Sequence, residues 1–524
     1  RVLFRSPQVI ADLDGDRSID LLVVGAGATG TSVAWAAARS GLRVSLLEAH
    51  DHGSGTSSRS SKLLHGGVRY LAQGRLGLVR QVLQERSHFL NFAPHLAQAL
   101  PFVVPSSSWA EHALHRLGLG FYQHLAGAHS LGATQRMAAA GLRQNWPELK
   151  HQDWVGGVAY WDALFEDARM ALWLALQAQD AGAHVLNHAE VVRLQALGHG
   201  AFEVTWRDRL GGSEHVLRAG CVINAAGVWV DRVRGLQGQT RNDPSGSMRT
   251  IGPSQGIHLV LRWPQGAPEH LHALLSPRTT DGRVLFFIPW LGHCLIGTTD
   301  TMVSEISHEP RPLEQEIDFL CREASRVLQT PVDPAQVQSV WAGLRPLAVG
   351  PESTRSGSGG RVSREHAIHA DEDGLISVLG GKWTTCRVMA QDALAVAGRI
   401  NGLPWRPGPA DGFEANHQDK DEATPLTAEP GLHLYGPMQG LVQSIQGSEQ
   451  ALGLGLTEAM VRYAVRHEQA CTVQDVLARR HRMLFLNARL AQTLAPQVAE
   501  IMREEGVEQS QLLEFLDSCP QYQI

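Results

Sequence analysis

The chain has 524 residues, 43% of them hydrophobic and 19% charged, and its formal net charge is −6. This length predicts two or three domains, and the mildly acidic balance gives no support for a nucleic-acid partner. No uninterrupted apolar run reaches the roughly 18 residues that a membrane-spanning helix needs, and we expect no secretory leader.

The cysteine and histidine patterns argue against a disulfide framework and against a metal centre. The six cysteines stand far apart without a CxxC pair, and the 25 histidines show no HExxH spacing. We therefore expect free thiols in a reducing cytoplasm and no bound metal. Residues 1–17 fit no element of a fold and are expected to be an N-terminal extension.

The segment Asp20–Glu48 has the pattern of a strand, a glycine-rich turn, a helix and a second strand. The apolar strand Leu21–Val24 runs into GAGATG, in which Gly25 permits the turn, Gly27 lets a pyrophosphate approach and Gly30 allows close packing. Glu48, at the end of the second strand, is placed to bind ribose hydroxyls. The segment predicts a bound dinucleotide and leaves open whether it is FAD or NAD.

The rest of the chain alternates between strand-and-helix segments that continue this domain and segments that are mainly strands or mainly helices. Strand-and-helix patterns return at 168–194, 221–229 and 374–400, whereas 250–300 is rich in strands and turns and 446–517 has helical periodicity. We therefore expect a mixed α/β and α+β fold. It consists of a Rossmann-like nucleotide-binding domain, an inserted antiparallel-sheet domain and a C-terminal α-helical domain.

A serine- and glycine-rich loop and a few cationic residues are the next candidates for chemistry. The loop at 56–67 follows the first unit directly and can surround a cofactor with hydroxyl and N–H groups. Lysine occurs only four times, yet Lys62 and Lys382 lie in Ser/Gly-rich segments. Cations such as Lys382 and Arg345 that meet at one pocket indicate an anionic substrate, because they suit phosphate or carboxylate.

Eight motifs together resemble the FAD-dependent glycerol-3-phosphate dehydrogenases, within the wider group of flavoproteins that includes D-amino-acid oxidase. They are GAGATG (25–30), TSSRSSKLLHGGVRYL (56–71), FEDAR (165–169), NAAGVWV (224–230), GRVLFFIPW (282–290), LIGTTDT (295–301), GLRPL (343–347) and LGGKWTTCR (379–387). The helical segment 463–485 also resembles the C-terminal domain of that family. Trp383 and Cys386 depart from the pattern, where we expect an aliphatic residue and a tyrosine.

The resemblance implies FAD as the cofactor and assigns its contacts. They are Gly25, Gly27, Gly30, Glu48, Ser57, Ser60, Ser61, Lys62, His65, Gly66, Gly67, Val191, Gly381 and Thr384. It places the substrate at Arg69, Tyr70, His258, Arg345 and Lys382, of which His258, Arg345 and Lys382 are the candidate catalytic residues. The predicted domains are FAD binding (18–100, 166–245 and 345–400), substrate binding (101–165 and 246–344), a linker (401–430) and the C-terminal helices (431–524).

The implied reaction is oxidation of sn-glycerol 3-phosphate, a small phosphorylated polyol, to dihydroxyacetone phosphate by hydride transfer to N5 of FAD. Electrons would then pass to a membrane quinone. His258 is the candidate base, with an arginine or a water left open in that role. The alternatives are an oxidase that uses dioxygen, an amine or amino-acid oxidase of the same fold, and a non-catalytic flavin-binding redox sensor.

The resemblance also implies a protein on the inner face of the cell membrane, and we expect a homodimer. The segment 111–128 is loosely amphipathic, with Leu114, Leu117, Phe121 and Leu125 as its apolar residues and Arg116 as a basic one. Such a segment fits either a helix at the membrane interface or a buried packing helix.

Overall fold

A computed structural model gives the structure of the chain, with residues 18–72, 74–150, 154–237, 250–263, 272–349, 362–363, 365–407 and 424–524 described. The predicted extension at 1–17 and much of the predicted linker lie outside these residues. The strands, in chain order, are β1 (Leu21–Val24), β2 (Val44–Leu47), β3 (Leu63–Leu64), β4 (Ala97–Ser106), β5 (Gln135–Ala138), β6 (Gly156–Phe165), β7 (His184–Leu186), β8 (Ala189–Gly198), β9 (Ala201–Asp208), β10 (Glu214–Ala219), β11 (Val222–Asn224), β12 (Ile251–Arg262), β13 (Ala273–Leu275), β14 (Phe286–Trp290), β15 (His293–Gly297), β16 (Thr301–Met302), β17 (Val337–Val349), β18 (Val362–Ser363), β19 (Ala367–Ala370), β20 (Ile376–Leu379), β21 (Ala451–Gly453) and β22 (Leu456–Thr457).

The helices lie between these strands and make up most of the C-terminal region. In chain order they are α1 (Ala28–Arg39), α2 (Val68–Ala72), α3 (Leu76–Phe92), α4 (Trp109–Ala126), α5 (Ala139–Asn145), α6 (Asp167–Asp180), α7 (Val230–Arg234), α8 (Glu314–Val327), α9 (Cys386–Asn401), α10 (Gln439–Gln443), α11 (Glu458–His467), α12 (Met483–Leu486), α13 (Ala488–Glu504) and α14 (Leu512–Ser518). A π-helical turn at Asp475–Arg480 precedes α12.

A six-stranded sheet in the order β19-β20-β11-β1-β2-β7 carries the nucleotide-binding unit. All its neighbours are parallel except β19 and β20, which pair antiparallel. The strands β1 and β2 are buried along their whole length, which explains why Leu21–Val24 is a continuous apolar run. The helices α1, α6 and α9 contribute to the hydrophobic core on this sheet.

A second, eleven-stranded sheet contains β18-β17-β12-β15-β14-β13-β4-β6-β3, with β16 beside β12 and β5 beside β6. Its pairs are antiparallel except for β4 with β13. The strand β3 falls within the range predicted for the FAD domain, yet it pairs with β6 of this large sheet. The loop that precedes β3 therefore runs from one sheet to the other.

The C-terminal region packs against both sheets. Its helices share one core with the large sheet, and buried ion pairs join it to the nucleotide-binding unit. Arg480, for example, donates to Asp51 over 2.9 Å, and both side chains are buried. The fold class predicted from the sequence is confirmed.

Two further features of the described structure bear on the sequence analysis. All six cysteines are free thiols. Among the residues that the structure describes, no helix combines the length and apolarity needed to cross a membrane.

Candidate active site and cofactor cleft

The carboxyl ends of β1, β2, β11 and β20 open into a cleft with an empty volume of about 1330 Å³, part of which is open to solvent. Ligands of parallel α/β sheets bind at such a crevice. The predicted site residues that line it are Gly25, Gly27, Glu48, Ser57, Val191, Gly381 and Lys382.

The glycine turn after β1 is tight enough to require glycine. Gly25 has a φ of +100°, and a Cβ atom there would lie 2.9 Å from the carbonyl oxygen of Ala225. A Cβ on Gly30 would lie 1.8 Å from the carbonyl oxygen of Gly25, so α1 packs directly on the turn. The first turn of α1 faces the cleft, where its N–H groups and dipole favour an anion such as a pyrophosphate.

Glu48 ends β2 beside this turn, where its carboxylate is held by backbone groups. It accepts hydrogen bonds from the N–H of Ala26 at 2.7 Å and of His50 at 2.9 Å. Burial raises the pKa of Glu48, although these two hydrogen bonds oppose the increase. The side chain thus has a fixed position as a polar acceptor at the wall of the cleft.

The turn after β20 brings Lys382 to the cleft from the opposite side. The Lys382 Nζ atom lies 3.7 Å from the centre of the Tyr70 ring, so the cation rests on an aromatic face. Trp383 donates from its indole nitrogen to the Ser57 carbonyl at 2.9 Å and thereby ties this turn to the serine loop. Thr384 is buried at the start of the following helical turn and does not line the cleft.

The two residues of unexpected type in this segment have packing roles. The Trp383 ring lies edge-on to Phe165, with ring centres 5.0 Å apart. Cys386 is fully buried and accepts a hydrogen bond from Ser32 of α1 at 3.2 Å. Together they join α9 to α1 and to the large sheet.

His258 lies on β12 and contacts the serine loop. Its Nε2 atom is 2.8 Å from the Ser61 hydroxyl, and its ring stacks on Trp341 with centres 4.3 Å apart. The pKa of His258 is well below the ordinary value because the ring is buried, and nearby Lys62 and Arg345 lower it further. The imidazole is therefore neutral at neutral pH and can accept a proton.

Arg345 lies on β17 and points toward the turn after β15. Its guanidinium donates to the Thr298 hydroxyl at 3.1 Å and to the Thr299 carbonyl at 3.0 Å, and it pairs with Asp300 at 3.2 Å. The next residue, Pro346, lines the cleft together with Lys382. Arg345 itself is not among the described residues that line the cleft, and about a quarter of its side chain is exposed.

Lys62 and Ser60 are not among the described residues that line the cleft. The Lys62 side chain is completely buried, and its Nζ donates to Asp167 at 2.7 Å and to the Ser58 carbonyl at 2.8 Å. Ser60 donates its hydroxyl to the same carboxylate at 2.7 Å. Burial lowers the pKa of Lys62 to about 7, against the opposing effect of Asp167. The direct cofactor contact expected for Lys62 stays a prediction.

The residues at the end of the serine loop are also absent from the described lining of the cleft. Gly66 donates its N–H to Asp162 at 3.3 Å, and a Cβ there would lie 2.2 Å from the Tyr122 hydroxyl. His65 is exposed, and its ring centre lies 6.5 Å from that of Phe286. None of the predicted contacts Ser60, Ser61, Lys62, His65, Gly66 and Gly67 is among the described residues that line the cleft. The side chain of Arg69 lies outside the described residues, so its predicted role stays a prediction.

Sequence reasoning missed several residues that the structure places at the site. His50 and His308 line the cleft and stack on each other, and Trp229 lines it as well. Asp167 holds the serine loop in place through Ser60 and Lys62. Asp167 belongs to the FEDAR motif, which could have marked it, whereas nothing in the sequence distinguishes the two histidines from the other 23.

Two family models match the chain. The model described as FAD dependent oxidoreductase matches residues 20–387, and the model for the C-terminal domain of alpha-glycerophosphate oxidase matches residues 427–509.

Curated relatives and solved structures agree with these matches. The mitochondrial glycerol-3-phosphate dehydrogenase of Homo sapiens is 35% identical over 94% of this chain and 71% of its own length. The mitochondrial enzyme SDP6 of Arabidopsis thaliana is 36% identical over 93% of this chain and 83% of its own length. The structure is similar to glycerol-3-phosphate dehydrogenase from Bacillus halodurans complexed with FAD, with a TM-score of 0.74, 25% identity, and coverage of 98% and 97% of the two chains. It also shares its fold with L-alpha-glycerophosphate oxidase from Mycoplasma pneumoniae, at a TM-score of 0.56, 16% identity, and coverage of 77% and 100%.

Proposed function

Because the chain belongs to the FAD-dependent glycerol-3-phosphate dehydrogenase family, we propose that it oxidises sn-glycerol 3-phosphate to dihydroxyacetone phosphate. The observation that carries the proposal is Lys382 in the wall of a nucleotide cleft, with Arg345 adjacent in sequence to Pro346 of that wall and close enough to the neutral imidazole of His258 to lower its pKa. When bound, FAD supplies the acceptor for the hydride that leaves the substrate carbon.

The residues of the cleft fit the cofactor. A Cβ atom at Gly25 or Gly30 would clash with backbone atoms, so the turn after β1 is built from glycine. The first turn of α1 faces the space where a pyrophosphate would lie. Glu48 is placed at the carboxyl end of β2 for the ribose. Gly381 and Lys382 form the wall on the β20 side, which we assign to the flavin.

The cationic residues would hold the substrate phosphate. Lys382 offers a compact positive charge on the face of Tyr70, and Arg345 offers a planar fork of donors. Positive charge close to the reacting carbon would also stabilise the alkoxide-like transition state. The substrate is therefore selected for its phosphate, and glycerol without a phosphate should be a poor substitute.

His258 would remove the proton of the secondary hydroxyl. Its low pKa in the free protein reflects burial beside Lys62 and Arg345. A phosphate dianion bound next to Arg345 would offset this positive charge and raise the pKa of His258, which would make it a better base when substrate is present. The Ser61 hydroxyl at 2.8 Å fixes the orientation of the ring.

We further propose that electrons pass to a membrane quinone from a protein that binds the cytoplasmic membrane surface as a homodimer. Helix α4 supports the surface contact because its outer face is apolar. Leu117 and Leu114 are 74% and 68% exposed, and Trp109 and Phe121 are exposed beside them. Its other face is buried, through Leu119 and Tyr122 among others. Such a helix can lie in the membrane interface with its apolar face in the lipid.

Anaerobic flavin spectroscopy tests the proposed reaction. Purified holoprotein is mixed with glycerol 3-phosphate, glycerol, lactate or glycine, and the visible flavin band is followed. We expect rapid bleaching with glycerol 3-phosphate alone. Bleaching by glycine instead would favour an amine oxidase, and a flavin that no substrate reduces would favour a redox sensor.

A second candidate is an oxidase that passes the electrons to dioxygen. The match of residues 427–509 to the C-terminal domain of alpha-glycerophosphate oxidase favours it. Stoichiometric hydrogen peroxide in air without added quinone would identify the oxidase. Slow reoxidation in air and fast reoxidation by a soluble quinone would identify the dehydrogenase.

A further inference from the structure

The connection between β16 of the large sheet and helix α8 reaches the nucleotide cleft. After β16, the chain runs through residues 303–313 before α8 begins, and His308 from this segment lines the cleft. The His308 ring stacks on the ring of His50 with centres 3.6 Å apart and planes inclined by 11°. Its Nε2 atom also lies 3.1 Å from the Ser54 hydroxyl. A residue that follows β16 of the large sheet therefore forms part of the same wall as Glu48 and the glycine turn after β1.

The neighbouring residue Glu309 fixes this segment to the rest of the molecule. Its carboxylate accepts from Arg59 of the serine loop at 2.7 Å and from Gln474 of the C-terminal domain at 2.6 Å. It also accepts from Gln521 at 3.2 Å and from the Tyr522 hydroxyl. Groups from all three parts of the fold thus meet on one carboxylate.

Arg59 and Tyr522 complete the cluster. The Arg59 guanidinium donates to the Tyr522 hydroxyl at 3.0 Å, and that hydroxyl donates to Glu309. Arg59 also donates to the carbonyl of Ala342 on β17 at 3.2 Å. We call Arg59, Glu309 and Tyr522 the latch. Because the Arg59 side chain is only 3% exposed, removing a partner leaves charge poorly compensated in the interior.

Arg59 and Glu309 stay ionised and His308 stays neutral under ordinary conditions. Burial alone would raise the pKa of Glu309, but Arg59, His308 and Tyr522 outweigh it and lower the pKa to about 2. Burial lowers the pKa of His308 to about 4. His308 therefore offers the cleft a hydrogen-bonding, stackable imidazole and not a cation.

We propose that His308 contacts the adenosine diphosphate part of FAD and that the latch holds it there, so that the C-terminal domain controls how tightly the cofactor is retained. The inference rests on the proposed placement of FAD in the cleft. It gives the end of the C-terminal domain a role in retaining the cofactor, because Gln521 and Tyr522 hold Glu309, and Glu309 is adjacent in sequence to His308 of the cleft wall.

Cofactor release from the full-length holoprotein tests the inference without any substrate. The flavin is followed by the fluorescence that appears as FAD leaves the protein, for the wild type, Tyr522→Phe, Glu309→Gln and His308→Ala. Tyr522→Phe removes one hydroxyl that bridges two charged groups, and such hydrogen bonds contribute enough to change an equilibrium constant about tenfold. We expect the dissociation constant for FAD to rise by about that factor in each variant.

Tyr463→Phe is the matched control. Tyr463 is a mostly buried tyrosine of the C-terminal domain whose ring packs on Tyr435 and His467, away from the latch. We expect it to retain FAD like the wild type. If Glu309→Gln does not fold, His308→Gln serves in its place, because it changes the cleft wall and leaves all three latch side chains intact.

Two results would overturn the inference: unchanged FAD dissociation in Tyr522→Phe and His308→Ala, or equal weakening in Tyr463→Phe. Either would mean that His308 and the latch do not govern cofactor retention. A holoprotein that releases FAD as predicted but is not reduced by glycerol 3-phosphate would refute the proposed reaction and support the latch. The two proposals therefore fail separately.

Discussion

Replacing Lys382 by methionine should remove the charge that we assign to the substrate phosphate while preserving the length of the side chain. Two unit charges about 4 Å apart interact by about 4 kcal/mol at an effective dielectric constant of 20. Lys382 is half-buried in the cleft wall, so we reduce this figure by about half for solvent screening, to about 2 kcal/mol. The expected loss in the ratio of flavin reduction rate to substrate dissociation constant is therefore about 30-fold.

Anaerobic stopped-flow reduction of the flavin by glycerol 3-phosphate measures this ratio and separates the dissociation constant from the limiting rate. Lys382→Arg keeps the charge and should retain most of the activity. Lys150→Met is the matched control, since the exposed Lys150 donates to the Ser325 carbonyl at the surface. A loss of less than threefold in Lys382→Met, or an equal loss with neutral glycerol, would refute the role of Lys382 as a phosphate ligand.

Three further predictions test the cofactor turn, the base and the membrane helix. Gly30→Ala should destabilise the holoprotein by about 1–3 kcal/mol in chemical denaturation because its Cβ would meet the Gly25 carbonyl oxygen, whereas Gly118→Ala, at an open position in α4, should stabilise it slightly. Because the pKa of His258 in the free protein lies well below 6.5 and a base must be neutral, the ratio of flavin reduction rate to substrate dissociation constant, which reports the free protein, should show no ionisation of His258 as the pH falls through 6.5. Leu117→Glu should weaken sedimentation with anionic lipid vesicles at least about tenfold and leave flavin reduction unchanged, because it places a charge on the exposed apolar face of α4.

Each of these has an outcome that would contradict it. Equal stability of Gly30→Ala and Gly118→Ala would show that the turn tolerates a side chain. A fall in this ratio with an apparent pKa near 6.5 in the wild type that disappears in His258→Asn would show that the imidazole has an ordinary pKa in the free protein. Vesicle binding that Leu117→Glu does not change would assign the apolar face of α4 to another contact.

The part of the site that local sequence determines could be predicted from the sequence. Gly25, Gly27 and Glu48 lie within one strand-turn-helix-strand unit, so the geometry of that unit alone places them at the cleft. Lys382 follows the same rule, because it comes directly after a buried parallel strand. The family and the fold class could also be predicted, because each of the motifs that identify them is a continuous stretch of the chain.

The direction of a side chain within a loop could not be predicted. The Lys62 side chain is directed to Asp167, 105 positions further along the chain, which supplies a buried carboxylate. His308 reaches the cleft because its neighbour Glu309 is held by Arg59 and Tyr522, which are distant in sequence. Such contacts depend on how three domains pack, and no local pattern encodes them.

The most direct test of the central claim is a single anaerobic turnover with product analysis. Holoprotein is mixed with one equivalent of sn-glycerol 3-phosphate or of its mirror image, and both reduced flavin and dihydroxyacetone phosphate are quantified. We expect one dihydroxyacetone phosphate per flavin reduced, with the sn-3 isomer only. An oxidised flavin, or a reduced flavin without this product, would contradict the proposed reaction.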